Sequence, residues 1–264
     1  MRTRKLELLR PDEILNEMRR CPVVYLPIGP LEWHGPHLPY GTDPLIASAL
    51  ALCVADRLGG LVHPCLFLGT ERERDPDTLR KLGFTGSEWI VGMDFPANSL
   101  SSLYLPEEVL AIVVRHQIYL LQQMGFRHIV LVNGHGGRNH VAALKRLAAE
   151  ISAQGRCRVH YAFTFPEGAG TWSKRHHAST DETAVMQQLA PESVDTATLP
   201  PANQPIRARD FAVVDEDAFE GRNLPAGNIT EDPRGATSAQ GQQHLAAATD
   251  AVVAMLRGTL TFPL

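Results

Sequence analysis

Short apolar runs alternate with longer segments of helical periodicity along this chain of 264 residues. A continuous apolar run of this kind is typical of a strand buried on both faces of a parallel sheet. Strands are predicted at Val23–Ile28, Leu61–Leu68, His128–Val132 and Arg158–Phe163. Helices are predicted at Pro11–Arg19, Pro44–Leu58, Pro106–Met124, Asn139–Ala153 and Ala239–Leu256. The alternation predicts an α/β fold around a mostly parallel sheet.

Two predicted strands lead directly into polar clusters. The first cluster reads GPLEWHGPHLPYGTD from Gly29 to Asp43, and the second reads NGHGG from Asn133 to Gly137. Because ligands bind outside the carboxyl ends of strands in open α/β sheets, we expect both clusters to meet at one edge. Glu32 and His34 are two residues apart, so in an extended segment their side chains point to the same side.

Two stretches lack a clear periodicity. Residues Glu71–Leu105 form charged, Gly-containing and Pro-containing segments, which together are too long for a routine connection. An active-site lid and an oligomer contact are equally open interpretations of this stretch. Residues Pro200–Gly235 are also loop-rich, and either short strands or a substrate-covering loop fits them. With 44% hydrophobic residues, we expect residues 1–264 to form a single domain.

The composition argues against several classes of function. The net charge is −4 and the 25 Lys and Arg residues are scattered, so we expect no nucleic-acid partner. No window reaches the roughly 18 apolar residues of a membrane span, and no apolar stretch follows the basic start. We therefore expect a cytoplasmic protein without a membrane partner. The four cysteines lie far apart and predict buried free thiols.

Five side chains have the chemistry of divalent-metal ligands. They are Glu32, His34, Asp43, His135 and Glu182. Imidazole nitrogens and carboxylate oxygens hold ions such as Zn²⁺ and Mn²⁺, and a site rich in both suits hydrolysis better than electron transfer. This set exceeds what one structural zinc needs and suits a binuclear pair bridged by one carboxylate.

Each candidate also has a structural interpretation. Glu32 alone fits a surface carboxylate. Asp43 precedes Pro44 and a helical pattern, so it fits an N-cap. His135 lies in a Gly-flanked turn, where its imidazole could bond a backbone carbonyl, although the glycines also permit close approach of a ligand.

The segment HHASTDET places His177 five residues before Glu182, with helical sequence following from Thr183. A helix start capped by Ser179 or Thr180 explains the acidic residues, which the helix dipole favours there. That interpretation leaves the paired histidines, of which His177 is the second, without a role.

Together these segments resemble the creatininase family of metal-dependent amidohydrolases. The first matching motif is G-x-x-E-x-H-G-P-H-L-P-x-x-T-D from Gly29 to Asp43, which is long and highly specific. The others are N-G-H-G-G at Asn133–Gly137, H-A-x-x-x-E-T at His177–Thr183 and a weaker match, DPRGAT, at Asp232–Thr237. The resemblance therefore spans nearly the whole chain.

The resemblance implies a three-layer α/β/α sandwich with a mostly parallel central sheet. It also implies two divalent metal ions, Zn²⁺ and/or Mn²⁺ with Fe²⁺ also compatible. In that match Glu32 and His135 bind one ion, His34 binds the other, and Asp43 bridges them. Because relatives in the family are often hexamers built from dimers, it further implies a homo-oligomer.

By the same match His177 corresponds to the histidine that protonates the leaving group. Glu182 corresponds to a second carboxylate, carried over both as a metal ligand and as a catalytic residue. One position departs from the pattern: creatininase proper has H-Y-E-N, whose Glu is a ligand, and this chain has Gly137 there. Glu182 or a water are the open replacements, and the departure argues against creatinine itself as the substrate.

The neighbouring residue Arg138, with Arg72, Arg74 and Arg80, has two interpretations. These side chains could contact an anionic or polyhydroxyl substrate, but a solvated charged face is the favoured interpretation.

The leading hypothesis is a hydrolase that opens a small cyclic amide by attack of a metal-bridging hydroxide. Residues Gly69–Leu105 are also similar to a branch of the family that opens cyclic keto-polyols, so hydrolysis of a C–C bond in a keto-inositol type of compound is the alternative. Both reactions pass through an oxyanion that metal stabilises, and the ligand set does not separate them. A third hypothesis is a non-enzymatic metal-binding protein.

Overall fold

The computed structural model describes residues 2–81, 84–96, 98–166, 177–204 and 232–260. Within these ranges a four-stranded sheet forms from β1 (Val23–Ile28), β2 (Leu61–Val62), β3 (His128–Asn133) and β4 (Arg158–Phe163). All neighbouring strands are parallel, in the spatial order β2-β1-β3-β4. Most of the loop-rich region Pro200–Gly235, from residue 205 to 231, lies outside the described residues.

Helices lie on both sides of this sheet. They are α1 (Pro11–Arg20), α2 (Thr42–Leu58), α3 (Pro76–Lys81), α4 (Glu107–Met124), α5 (Arg138–Ala153), α6 (Thr180–Leu189) and α7 (Ser238–Arg257). The five helices predicted from periodicity are confirmed to within two residues at each end. In the described ranges, every helix is too short or too polar to cross a membrane.

Successive side chains of the buried strands point to opposite faces of the sheet, which divides the core into two halves. On one face of the sheet, α4 and α5 pack against Val24, Leu26, Ile129 and Leu131. On the opposite face, α2 and α7 pack against Val23, Tyr25, Val130 and Val132. All eight of these strand residues are fully buried, which explains why β1 and β3 appear in the sequence as continuous apolar runs. The three-layer α/β/α prediction is confirmed.

The predicted strand Leu61–Leu68 is wrong beyond Val62. The His63 N–H still donates to the Tyr25 carbonyl of β1 at 2.9 Å. The next bond to β1, to the Pro27 carbonyl, comes from Leu66 at 2.9 Å, one residue later than a regular parallel ladder requires, so an extra residue interrupts the pairing. The chain returns to β1 only at an isolated parallel bridge between Leu66 and Ile28. The edge of the sheet at β2 is therefore short.

The chain reverses its direction of travel across the sheet beside β1. It runs from β1 to β2 on one side and then crosses to β3 on the other side. Ile28 and Asn133, the last residues of β1 and β3, pair in register. Such a switch point opens a crevice at the carboxyl ends of the strands, where ligands bind in open α/β sheets.

Two glycines let the first turn of α2 enter this crevice. A Cβ added at Gly134 would lie 2.1 Å from the carbonyl oxygen of Asp43, and one added at Gly29 would lie 2.9 Å from the Cβ of Asp43. Real Cβ atoms do not approach backbone so closely, so both positions require glycine. The glycines thereby place Asp43 against the ends of β1 and β3.

We expect Gly134→Ala to lower the free energy of unfolding by about 1–3 kcal/mol, because its methyl group must push the Asp43 backbone away. Gly136→Ala in the same loop is the matched control, since its Cβ would meet only the Phe163 ring, at 3.8 Å. Urea unfolding of both variants measures the difference. Equal midpoints for the two variants would contradict this account of the crevice.

Candidate metal centre

Asp43 occupies the middle of a buried cluster. Its Oδ1 lies 3.1 Å from Nε2 of His34, and its Oδ2 lies 3.0 Å from Nδ1 of His135. Helix α2 begins at Thr42 with Gly41 at the N-cap and no side-chain cap. The interpretation of Asp43 as an N-cap is therefore wrong, because both of its oxygens face histidines.

Glu32 joins the same cluster from the loop after β1. Its Oε2 lies 3.0 Å from Nδ1 of His135 and 4.0 Å from Nε2 of His34. Its Oε1 accepts a hydrogen bond from the Tyr104 hydroxyl at 2.5 Å. Because Glu32 is only 1% exposed, the interpretation as a surface carboxylate is wrong. The Nδ1 of His34 donates to the Glu32 carbonyl oxygen at 3.0 Å, which leaves Nε2 directed at Asp43.

Hydrogen bonds to the Asn133 side chain hold the backbone of His135 within the NGHGG segment. Asn133 accepts from the His135 backbone N–H at 3.0 Å and donates to the His135 carbonyl at 2.6 Å. The Nε2 of His140 lies 3.0 Å from the same Asn133 side-chain oxygen. Burial lowers the pKa of His140 well below its ordinary value, so it is a neutral donor there. The His135 ring faces carboxylates, and the interpretation that it bonds a backbone carbonyl is wrong.

Glu182 approaches His34 from α6, with its Oε2 3.9 Å from the His34 Nε2. Helix α6 begins at Thr180, three residues before the predicted helical sequence. Ser179 stands at the N-cap but makes no side-chain cap bond, and the Glu182 carboxylate instead accepts from the Ala178 N–H at 2.5 Å. Ala178 has a φ of 56°, a left-handed conformation that costs energy for a residue other than glycine. The predicted helix start is confirmed, with Ser179 at the N-cap and Asp181 and Glu182 in the first turn, but the side-chain cap bond is absent.

His177 stands beside the cluster. Its ring centroid is 4.1 Å from that of His34, and its Nε2 lies 2.5 Å from the Trp33 carbonyl oxygen. Burial, together with the positive charge on His34, lowers the pKa of His177 to about 4. His177 is consequently neutral near pH 7 and able to accept a proton.

The buried charges of the cluster compensate one another. Burial lowers the pKa of His34, but the Asp43 carboxylate outweighs it and raises that pKa to about 10. Burial acts on His135 in the same way, and Glu32 outweighs it, so the pKa of His135 is also raised. Burial raises the pKa of Glu182 to about 7, although His34 opposes this. A divalent cation would supply the same positive charge and displace the histidine protons.

In the part of the chain that the structure describes, three groups of side chains bring possible ligand atoms within 4.8 Å of one another. They are Glu32–Asp43–His135, His34–Asp43–Glu182 and Glu32–His34–His177. The first two groups share Asp43, as a bridged pair of ions requires. Within the described residues, the buried Glu32 Oε2 has no hydrogen-bond partner of good geometry. An unsatisfied carboxylate oxygen among imidazoles fits a divalent metal in donor chemistry.

Two described residues of the irregular Glu71–Leu105 stretch also reach the cluster, and neither belongs to a recognisable local motif. Tyr104 bonds Glu32 across 72 positions of the chain. Glu71 places its Oε1 3.7 Å from the Nε2 of His135. His37, which lies within the first motif, contacts Thr183 instead, with 3.0 Å between its Nε2 and the hydroxyl.

The four arginines considered as substrate contacts do not share one environment. Arg72, Arg80 and Arg138 are exposed, which agrees with a solvated face. Arg74 departs from that interpretation, because it is half-buried. Its Nε donates to the Gly92 carbonyl at 2.5 Å, and its guanidinium lies 5.3 Å from the Phe95 ring centroid.

Comparison with known proteins identifies related chains. The family model of creatininase, described as creatinine amidohydrolase, matches residues 7–256. The mycofactocin precursor peptide peptidase of Mycobacterium tuberculosis is 29% identical over 243 residues, which cover 87% of this chain and 82% of that one. The creatinine amidohydrolase of Pseudomonas putida is 33% identical over 113 residues, covering 43% of this chain and 37% of that one.

Solved structures share the fold. A creatinine amidohydrolase (creatininase) superposes with a TM-score of 0.68 at 23% identity, covering 100% of both chains. A creatininase described with Mn also has a TM-score of 0.68, at 22% identity over 99% of this chain and 100% of that one. A mutant creatininase of Zn-Zn type has the same TM-score at 21% identity and the same coverage.

Proposed function

The chain belongs to the creatininase family, and from this premise we propose that it is a metal-dependent hydrolase that opens a small cyclic amide. The observation that carries the proposal is the position of Asp43, whose two oxygens lie 3.1 Å and 3.0 Å from His34 and His135. Two divalent ions bound there would lower the pKa of a shared water and polarise the substrate carbonyl.

The ligand groups support one assignment of roles. Glu32 and His135 would hold one ion, His34 and Glu182 would hold the other, and Asp43 belongs to both groups. Zn²⁺ and Mn²⁺ both accept this mixture of nitrogen and oxygen donors. Tyr104 keeps the Glu32 carboxylate in place through its hydroxyl, so Glu32 presents its second oxygen to the centre.

In this proposal His177 moves the proton. A neutral imidazole beside the reacting atoms can take a proton from the attacking water and pass it to the leaving nitrogen. The Trp33 carbonyl accepts from the His177 Nε2 and fixes the ring beside His34.

Two observations favour a small substrate with an amide bond. Glu32, His34, Asp43 and His135 are between 0% and 4% exposed within the described residues, which suits a small molecule better than a large one. The names of the two curated relatives, a peptidase and an amidohydrolase, both denote hydrolysis of an amide C–N bond.

A substrate panel tests the bond class. Metal-loaded enzyme is incubated with cyclic amides such as hydantoins, with short linear peptides and with a cyclic keto-polyol, and products are followed by NMR. We expect a new carboxylate together with a new amino or ureido nitrogen, and only from the cyclic amides. Cleavage of peptides alone would contradict the cyclic substrate, and an acid formed only from the keto-polyol would instead establish C–C hydrolysis. No turnover in any arm would support a metal-binding protein without activity.

For His177→Ala we expect unchanged metal content and a turnover lower by about 10²- to 10⁴-fold, as is typical of a lost proton-transfer group. His116→Ala is the control, because His116 is exposed on α4. Elemental analysis and the rate of the best substrate give both quantities. Loss of a metal ion from His177→Ala would instead make His177 a ligand, as the Glu32–His34–His177 group allows.

A further inference from the structure

We propose that Glu71 is a positioning residue for the metal centre and that it fixes the ring of His135 through the Nε2 atom. This inference rests on the binuclear centre proposed above. Glu71 belongs to the irregular stretch Glu71–Leu105 and lies outside all of the sequence motifs.

The two ring nitrogens of His135 face different groups. Nδ1 lies 3.0 Å from Glu32 Oε2 and 3.0 Å from Asp43 Oδ2, so it is the nitrogen directed at the centre. Nε2 is buried and has no hydrogen-bond partner among the described residues, while Glu71 Oε1 lies 3.7 Å from it. Metal-binding imidazoles almost always donate their second N–H to a carboxylate, a carbonyl or a water. Glu71 Oε1 is the carboxylate oxygen placed to become that acceptor.

Gly137 provides the space for this contact. A Cβ at position 137 would lie 2.3 Å from Glu71 Oε1 and 2.5 Å from His135 Nε2. The φ of Gly137 is −51°, which any residue can adopt. Glycine is therefore required by the lack of space for a Cβ and not by the backbone conformation. The glycine at 137 and the carboxylate at 71 are therefore two parts of one arrangement.

The backbone around Glu71 is held in place. Gly92 and Arg74 donate backbone N–H groups to the carbonyls of Arg72 and Ile90, at 3.0 Å and 2.8 Å. The Arg72 N–H donates to Glu71 Oε2 at 2.8 Å, which leaves Oε1 for His135. Gly92 has a φ of +53°, and a Cβ there would lie 2.7 Å from Glu71 Cγ. The local fold thus directs the Glu71 carboxylate at His135.

A separation of 3.7 Å exceeds that of a formed hydrogen bond. Catalytic hydrogen bonds often tighten only when the site is loaded. Coordination at Nδ1 makes the Nε2 proton more acidic, and a carboxylate that accepts it raises the basicity of the ligand. Loss of Glu71 should then lower the affinity for the ion that Glu32, Asp43 and His135 would bind. All three ligands would still be present.

The test measures the Zn²⁺ affinity of metal-depleted protein by letting it compete with a chromophoric chelator for the ion. The variants are Glu71→Ala, Glu71→Gln and the control Glu73→Ala, because Glu73 is an exposed carboxylate two residues away. We expect Glu71→Ala to bind two ions at saturation, one of them roughly 10- to 100-fold more weakly than the parent protein does. Glu71→Gln should recover most of this loss, since its amide oxygen still accepts the N–H, and Glu73→Ala should match the parent.

Unchanged affinity for both ions in Glu71→Ala would overturn the proposal. Failure to bind one ion at saturation would also overturn it, because Glu71 would then be a ligand. A weakening in Glu71→Gln equal to that in Glu71→Ala would exclude a role through the N–H bond. A parent protein that binds no Zn²⁺ would overturn the binuclear centre itself, and this outcome is seen before any variant is measured.

Discussion

The close approach of the first turn of α2 to the ends of β1 and β3 is the constraint on which the centre depends. Gly29 and Gly134 have no Cβ, so the backbone of Asp43 can lie against both strand ends. One carboxylate then reaches two histidines that are far apart in the chain. The neighbouring Glu32 and Glu182 complete two groups of side chains around it that could hold metal ions. The packing of α2 against the ends of β1 and β3 therefore brings the side chains of the site together.

The burial of the charged side chains in the cluster imposes a second constraint on the site. Carboxylates and histidines buried together are costly to desolvate, and the cost is offset only when opposite charges face each other. In this cluster protonated His34 and His135 face the carboxylates, as the raised pKa values of both histidines indicate. Perturbed groups of this kind concentrate at functional sites. The stretch from Glu71 to Leu105 reinforces the cluster by placing Tyr104 on Glu32 and Glu71 beside His135.

The features that could be predicted from the sequence are those with a local signal. Strands β1 and β3 are buried on both faces and form continuous apolar runs, and the clusters that follow them are contiguous motifs. The end of β2 could not be predicted, because one extra residue between His63 and Leu66 interrupts the ladder inside an apolar stretch. Tyr104 and Glu71 could not be predicted, because their contacts depend on tertiary packing of an irregular stretch. The N-cap interpretation of Asp43 failed for the same reason, since its histidine partners come from other segments.

The most direct test of the bridging role of Asp43 is elemental analysis of protein purified without added metal or chelator, alongside Asp43→Asn. Asp56→Asn is the matched control, because Asp56 lies on the same helix and its side chain is 72% exposed. We expect about two ions per chain in the parent and the control, as a binuclear site holds, and loss of both from Asp43→Asn. One ion or none in the parent, or two ions retained by Asp43→Asn, would contradict this expectation.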